Sequence, residues 1–180
     1  MIRASAFLLL LLTLCPRPSA AQMLRPQELS GGYSAVNDPQ NEVSFPVGWM
    51  AGGALRLNEW LSAVADVSGH HTTVAATGSD IRLSVLGAMG GARASARIGR
   101  ITEFVQLVAG VARGSGTAFG FTTTTNALAL QPGAGVDYPL RAALAIRAQL
   151  DVRLIHNQGD GNSAGHEYRF VTGIVYRLRR

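Results

Sequence analysis

Hydrophobic and polar positions alternate along this chain with a period of two, the signature of half-exposed β-strands rather than helices. The clearest case is residues 142–155. Leu144, Ile146, Ala148, Leu150, Val152 and Leu154 fall on one face, and Arg147, Gln149, Asp151 and Arg153 fall on the other. Residues 166–178 repeat it, with Tyr168, Phe170, Thr172, Ile174, Tyr176 and Leu178 opposing Glu167, Arg169, Gly173 and Arg177. In 61–69, Leu61, Ala63, Ala65 and Val67 oppose Ser62, Asp66 and Ser68; in 47–57, Val47, Trp49, Ala51, Leu55 and Leu57 oppose Gly48, Gly52 and Arg56. Residues 28–36, 81–93, 101–113 and 126–138 carry a weaker alternation, blurred by Gly and Ala. The two clearest runs exceed the usual soluble strand and reach the length needed to cross a bilayer at a tilt.

The connections sharpen this into a topology. Asn58-Glu59-Trp60, Ile98-Gly99-Arg100 and Pro139-Leu140-Arg141 predict tight hairpins. Between them lie longer connections at 37–46, 70–80, 114–125 and 156–165, rich in Asn, Asp, Gly, Ser and Thr. Long and short connections thus alternate along eight strands. Outer-membrane barrels show this alternation, with short periplasmic turns and long external loops. The predicted fold is all-β, an eight-stranded antiparallel up-and-down transmembrane β-barrel.

The N-terminus points to the same compartment. Arg3 precedes an apolar run from Ala6 to Leu14, and Ser19-Ala20-Ala21 follows with small residues where a signal peptidase cuts. The run is too short to span a membrane as a helix. Residues 1–21 are therefore expected to be a signal peptide, with 22–180 forming a barrel domain of about 159 residues that starts at Gln22. A lipoprotein start at Cys15 is disfavoured by the bulky Leu14 before it. Cys15 is the sole cysteine and leaves with the leader, so no disulfide is expected.

All sixteen basic residues are arginine, and the net charge is +5. A pI of about 10.3 suggests nucleic acid in a cytosolic protein. The export signal and the scatter of the arginines along the chain argue against that here. The charges instead share faces with carboxylates. In a barrel crossing hydrocarbon, the outer face must be apolar, every backbone group must be paired, and polar side chains are left to the interior. The predicted lumen network is Arg56, Asp66, Asp137, Arg147, Asp151, Arg153, Glu167 and Arg169, with opposite signs interlocking because an unpaired buried charge is costly. Gly87, Gly90, Gly91, Gly110, Gly133 and Gly135 would relieve crowding and allow curvature. Trp49, Trp60, Tyr138, Tyr168 and Tyr176 fall near strand ends, as interfacial girdles require.

The run Gln131-Pro-Gly-Ala-Gly-Val-Asp-Tyr138, the strand Arg147-Ala-Gln-Leu-Asp-Val-Arg153 and the closing Tyr168-Arg-Phe-Val-Thr-Gly-Ile-Val-Tyr176 resemble the penultimate hairpin and last strands of the small outer-membrane β-barrel family, the OmpA-like transmembrane barrel superfamily. The resemblance covers essentially all of 22–180. It implies an eight-stranded barrel inserted by the outer-membrane assembly machinery, which would read the final strand. Two features depart from the family pattern: the chain ends Leu178-Arg179-Arg180 where an aromatic residue is usual, and Pro132 sits inside a strand.

Other constellations are weaker. His70-His71, expected in an external loop, offer two metal-ligand types with no third ligand at a suitable spacing. His156, Ser163 and Glu167 supply hydrolase residue types, but in a Gly-rich loop and without the His-x-Ser arrangement of lipid-deacylating barrels. Gly114-Ser-Gly and Gly159-Asp-Gly are turn chemistry, since no Gly-Lys-Ser/Thr follows. Thr122 to Thr125 make a polar stretch with a slight case for adhesion. The expectation is a non-enzymatic structural or surface-interaction barrel of the outer membrane, without cofactor or metal. Its partners would be outer-membrane lipid, lipopolysaccharide and the assembly machinery, with no nucleic acid and a monomeric state. A small pore is the first alternative. A soluble periplasmic lipocalin-like binder is the second, and it requires the opposite facing, apolar inside and polar outside.

Overall fold

The structure, a computed structural model, describes residues 28–40, 43–76, 79–118, 121–156 and 164–178. The predicted leader, its cleavage site and the Arg179-Arg180 terminus lie outside them. Eight strands follow one another: β1 Glu28–Asp38, β2 (Val43–Phe45 and Val47–Arg56), β3 Leu61–Ala76, β4 Ser79–Ile98, β5 Ile101–Ala118, β6 Phe121–Arg141, β7 Leu144–His156 and β8 Ala164–Arg177. Each pairs antiparallel with the next, and β1 closes on β8 from Glu28↔Arg177 to Asn37↔Tyr168. The result is an up-and-down barrel. Closure matters because an open edge would leave backbone N–H and C=O groups unpaired in lipid.

Two prolines mark local breaks in the ladders. β2 is interrupted at Pro46. Between Tyr33↔Trp49 and Val36↔Phe45, three steps on β1 face four on β2. That extra residue is a β-bulge, placed at the one residue type with no N–H to donate. The β6–β7 ladder opens at Gln131 and Pro132, yet the same register resumes at Gly133↔Asp151 after Leu130↔Leu154. The proline costs a rung without a slip.

The tight turns lie at one end. Asn58 Oδ1 accepts hydrogen bonds from the backbone N–H of Trp60 (3.0 Å) and Leu61 (2.7 Å). Gly99 opens a two-residue turn with φ of 61°, the primed geometry that matches strand twist. The third turn sits at Ala142–Ala143 rather than at 139–141, because β6 continues through a bulge near Pro139 to pair Arg141 with Leu144.

The opposite end differs from expectation. Strands extend into the ranges predicted as loops at 70–80 and 114–125, with ladders reaching Ala76↔Ser79 and Ala118↔Phe121. Turn-forming residue types do not prevent a ladder there. Ser and Thr stand opposite one another and bond across strands: Ser84 Oγ to Ser115 Oγ at 2.8 Å, Thr117 Oγ1 to Thr122 Oγ1 at 3.0 Å.

Side-chain facing follows the clearest strands. Leu150, Leu154, Phe170, Ile174, Val105, Leu107, Leu128 and Leu130 point outward and are exposed, whereas Arg147, Gln149, Asp151, Arg153, Glu167 and Arg169 point inward and are buried. This facing is the reverse of what a lipocalin-like binder needs. Trp60, Tyr138 and Tyr176 ring the end with the tight turns, and Tyr33, Trp49 and Tyr168 ring the other.

Candidate functional site: a charge-filled lumen

The interior is crossed by five arginines and five carboxylates in contact. β7 supplies Arg147, Gln149, Asp151 and Arg153 at successive inward positions, because a strand presents every second residue to one face. β8 supplies Glu167, Arg169 and Arg177 in the same way.

Near the tight-turn end, Arg147 grips Asp137 with two parallel bonds, Nε to Oδ1 at 2.8 Å and Nη2 to Oδ2 at 2.9 Å. Arg177 reaches Glu28 at 3.3 Å and Asp137 at 3.5 Å. Glu28 also lies 3.6 Å from Arg147 and 3.7 Å from Arg93. The guanidinium carbons of Arg93 and Arg147 stand 4.4 and 4.7 Å from the centre of the Phe104 ring. Both guanidinium groups thus lie close to one aromatic ring, whose π-system attracts cations, and both face the Glu28 carboxylate. Gly135 makes room for that ring: a β-carbon there would come within 2.6 Å of Phe104 Cζ.

At mid-height Asp151 is the hub. It accepts from Arg169 Nε (2.9 Å), from Gln149 Nε2 (3.0 and 2.9 Å) and from Gln106 Nε2 (3.4 Å). Arg169 spans the bore, giving both Nη atoms to Asp66 at 3.2 Å. Above it Arg153 donates to Gln131 Oε1 (3.0 Å) and Glu167 Oε2 (3.2 Å), and His70 Nε2 pairs with Ser34 Oγ at 2.8 Å. Arg153 and Arg169 are 0% exposed. Beside Glu28, Asp66, Arg93, Gln106 and Arg147 the lumen retains a cavity of about 10 Å³, room for one water and no more.

Of the eight residues expected in the lumen, Asp66, Asp137, Arg147, Asp151, Arg153, Glu167 and Arg169 come together. Arg56 does not: it is the last residue of β2, exposed at the mouth, with no ion pair among the described residues. Missing from the predicted set were Glu28, Arg93, Arg177, Gln106, Gln131, Gln149 and Phe104. Arg93 and Gln106 sit on strands whose small residues blur the alternation, and Glu28 opens a strand. A signal existed in the register, since Arg93 pairs with Gln106 across β4–β5.

The weaker constellations do not assemble. His70 and His71 are consecutive in a strand rather than in a loop, so one points into the bore and the other out. That geometry prevents both from binding one ion. Glu167 is spent on Arg153, His156 is exposed, and Ser163 lies outside the described residues.

No protein-family model and no curated protein matches the sequence. Solved structures do match. Neisserial surface protein A (NspA) superposes with a TM-score of 0.64 at 14% identity, over 84% of this chain and 95% of that one. Ail, the attachment invasion locus protein of Yersinia pestis, gives 0.58 at 15% identity, over 86% and 100%. The N-terminal β-barrel domain of Pseudomonas aeruginosa OprF gives 0.52 at 12%, over 85% and 98%. The fold is that of these small eight-stranded outer-membrane β-barrels.

Proposed function

We propose that this chain is exported, loses residues 1–21, and works as a monomeric outer-membrane barrel with a structural or surface-contact role and no catalysis. Insertion would go through the outer-membrane assembly machinery. The outward apolar belt and the outer-membrane neighbours support the location. The observation that carries the closed, non-transporting part is the packed charge ladder from Glu28 to Glu167, beside which the cavity at Arg93 is water-sized. Its five arginines and five carboxylates neutralise one another, which works against drawing an ion of either sign through the bore. The hairpins β3–β4 and β5–β6 continue as paired strands beyond the aromatic girdle and present Ser, Thr, His and Arg to the outside.

The test is the refolded protein in a planar bilayer, with boiled and unboiled samples compared by gel mobility. A heat-modifiable band without conductance steps is expected. Steady single-channel steps would replace this reading by a small pore. Recovery from cells in the soluble periplasm without a heat shift would overturn the membrane location.

A further inference from the structure

The outer wall of β2–β5 changes character between two adjacent rows. In register across the sheet, Ala51, Val67, Ala88 and Val111 form one outward row, with Ala65, Gly90 and Ala109 below it. Two residues higher on each strand the outward positions are Trp49, Gly69, Leu86 and Arg113; the next are His71, Ser84 and Ser115. Arg82 and Thr117 stand above these. The lower rows are smooth and apolar, the upper ones cationic and hydroxyl-bearing.

A groove marks the change. Gly69 faces Trp49 directly, and the indole lies against it: a β-carbon at Gly69 would come within 2.7 Å of Nε1. The indole covers Gly69, Leu86 stands between it and Arg113, and His71, Ser84 and Ser115 line the upper rim of a groove along this row. Every lumen arginine named above has a carboxylate partner. Arg82 and Arg113, both exposed on the outer face, have no ion pair among the described residues.

We propose that this groove binds the phosphorylated headgroup of an outer-leaflet lipid. The inference rests on the membrane reading above. The smooth Ala/Gly surface below accepts the acyl chains. The indole packs at the interface, where its apolar body and its N–H each find a partner. Arg113 pairs with the phosphate through charge-assisted bonds, the guanidinium being suited to that planar, bidentate contact. The Ser84–Ser115 hydroxyl pair and His71 sit where the sugar or glycerol hydroxyls would lie. Arg82, four residues above the Leu86↔Arg113 rung, stands over the outer part of the headgroup.

The experiment uses the refolded barrel carrying Trp60→Phe, so that Trp49 is the one tryptophan left to report. In uncharged detergent micelles it is titrated with lipid A, with lipid A stripped of its phosphates, and with inorganic phosphate. A saturable shift of Trp49 emission is expected with lipid A alone. Arg113→Ala should weaken it about tenfold, as loss of a charge-assisted contact predicts, and Arg113→Lys should recover part of the loss. Gly69→Ala should abolish the shift by displacing the indole. Arg100→Ala, at the other end of the barrel, should change nothing. Equal shifts with the dephosphorylated lipid, competition by inorganic phosphate, or unaltered binding by Arg113→Ala would each overturn the proposal. Unboiled gels of the same samples separate the two failures: a heat-modifiable band with no headgroup preference sinks this inference alone, and its loss sinks the membrane reading.

Discussion

The two halves of the barrel wall solve one problem with different residues. β7 and β8 put Leu, Ile, Phe and Tyr outside and Arg, Asp, Glu and Gln inside. β4 and β5 put mainly Ala, Gly and Val outside along the belt, and inside they mix Met89, Val108 and Ala112 with Arg93 and Gln106. In the first half composition alone states the facing. In the second the facing is imposed by the ladder, because a slip by one residue would turn each side chain to the other face. The strong strands thus set the register that the weak ones obey once the sheet closes. The small residues of the weak half have a use of their own. At Gly110 a β-carbon would meet the Ala88 carbonyl oxygen at 2.0 Å, so the strands there approach more closely than any side chain permits.

This contrast can be broken, beginning with the strong half. Asp151→Ala removes the hub shared by Arg169, Gln149 and Gln106 and leaves buried donors unmatched. A loss of about 3–5 kcal/mol is expected, as for other broken buried pairs, read from denaturant unfolding of the protein in vesicles. A wild-type midpoint would mean that the network only fills space. Next comes the lipid face. Thr172→Arg on β8, outward and midway between the girdle residues Tyr168 and Tyr176, should cost about 2–4 kcal/mol. Ala92→Arg, outward on β4, should cost a similar amount. If the β4 variant folds as well as the parent, that half of the wall does not meet lipid and the comparison fails. Third, Gly110→Ala should destabilise by roughly 1–3 kcal/mol through backbone overpacking. Gly114→Ala on the same strand, with nothing within 4 Å of its β-carbon, should be silent. Smallest is Arg56→Ala, expected within about 0.5 kcal/mol because its side chain is exposed and has no ion pair among the described residues. A larger effect would return Arg56 to the lumen set.

Sequence and structure part company where local chemistry competes with pairing. The Ser/Thr-rich segments at 70–80 and 114–125 look like loops by composition, yet cross-strand partners hold 70–76 and 114–118 extended. The His70–His71 doublet looks like a chelate until a strand sends its members to opposite faces. Pro139-Leu140-Arg141 looks like a turn, but the chain bulges there and turns at Ala142–Ala143.

The sequence by itself determined the class. Period-two alternation in β7 and β8, tight connections at three places and the arginine–carboxylate face are local signals, and they suffice for an eight-stranded barrel with a polar bore. Only the tertiary structure decided which charges meet. Asp66 and Arg169 are 103 residues apart, Glu28 and Arg177 are 149 apart, and no spacing rule links them. They become neighbours because closure of β1 on β8 wraps the wall around a bore narrow enough for an arginine to span. The patch of Trp49, Gly69 and Arg113 needs no closure: the register of the successive pairings from β2 to β5 sets these residues in one outward row.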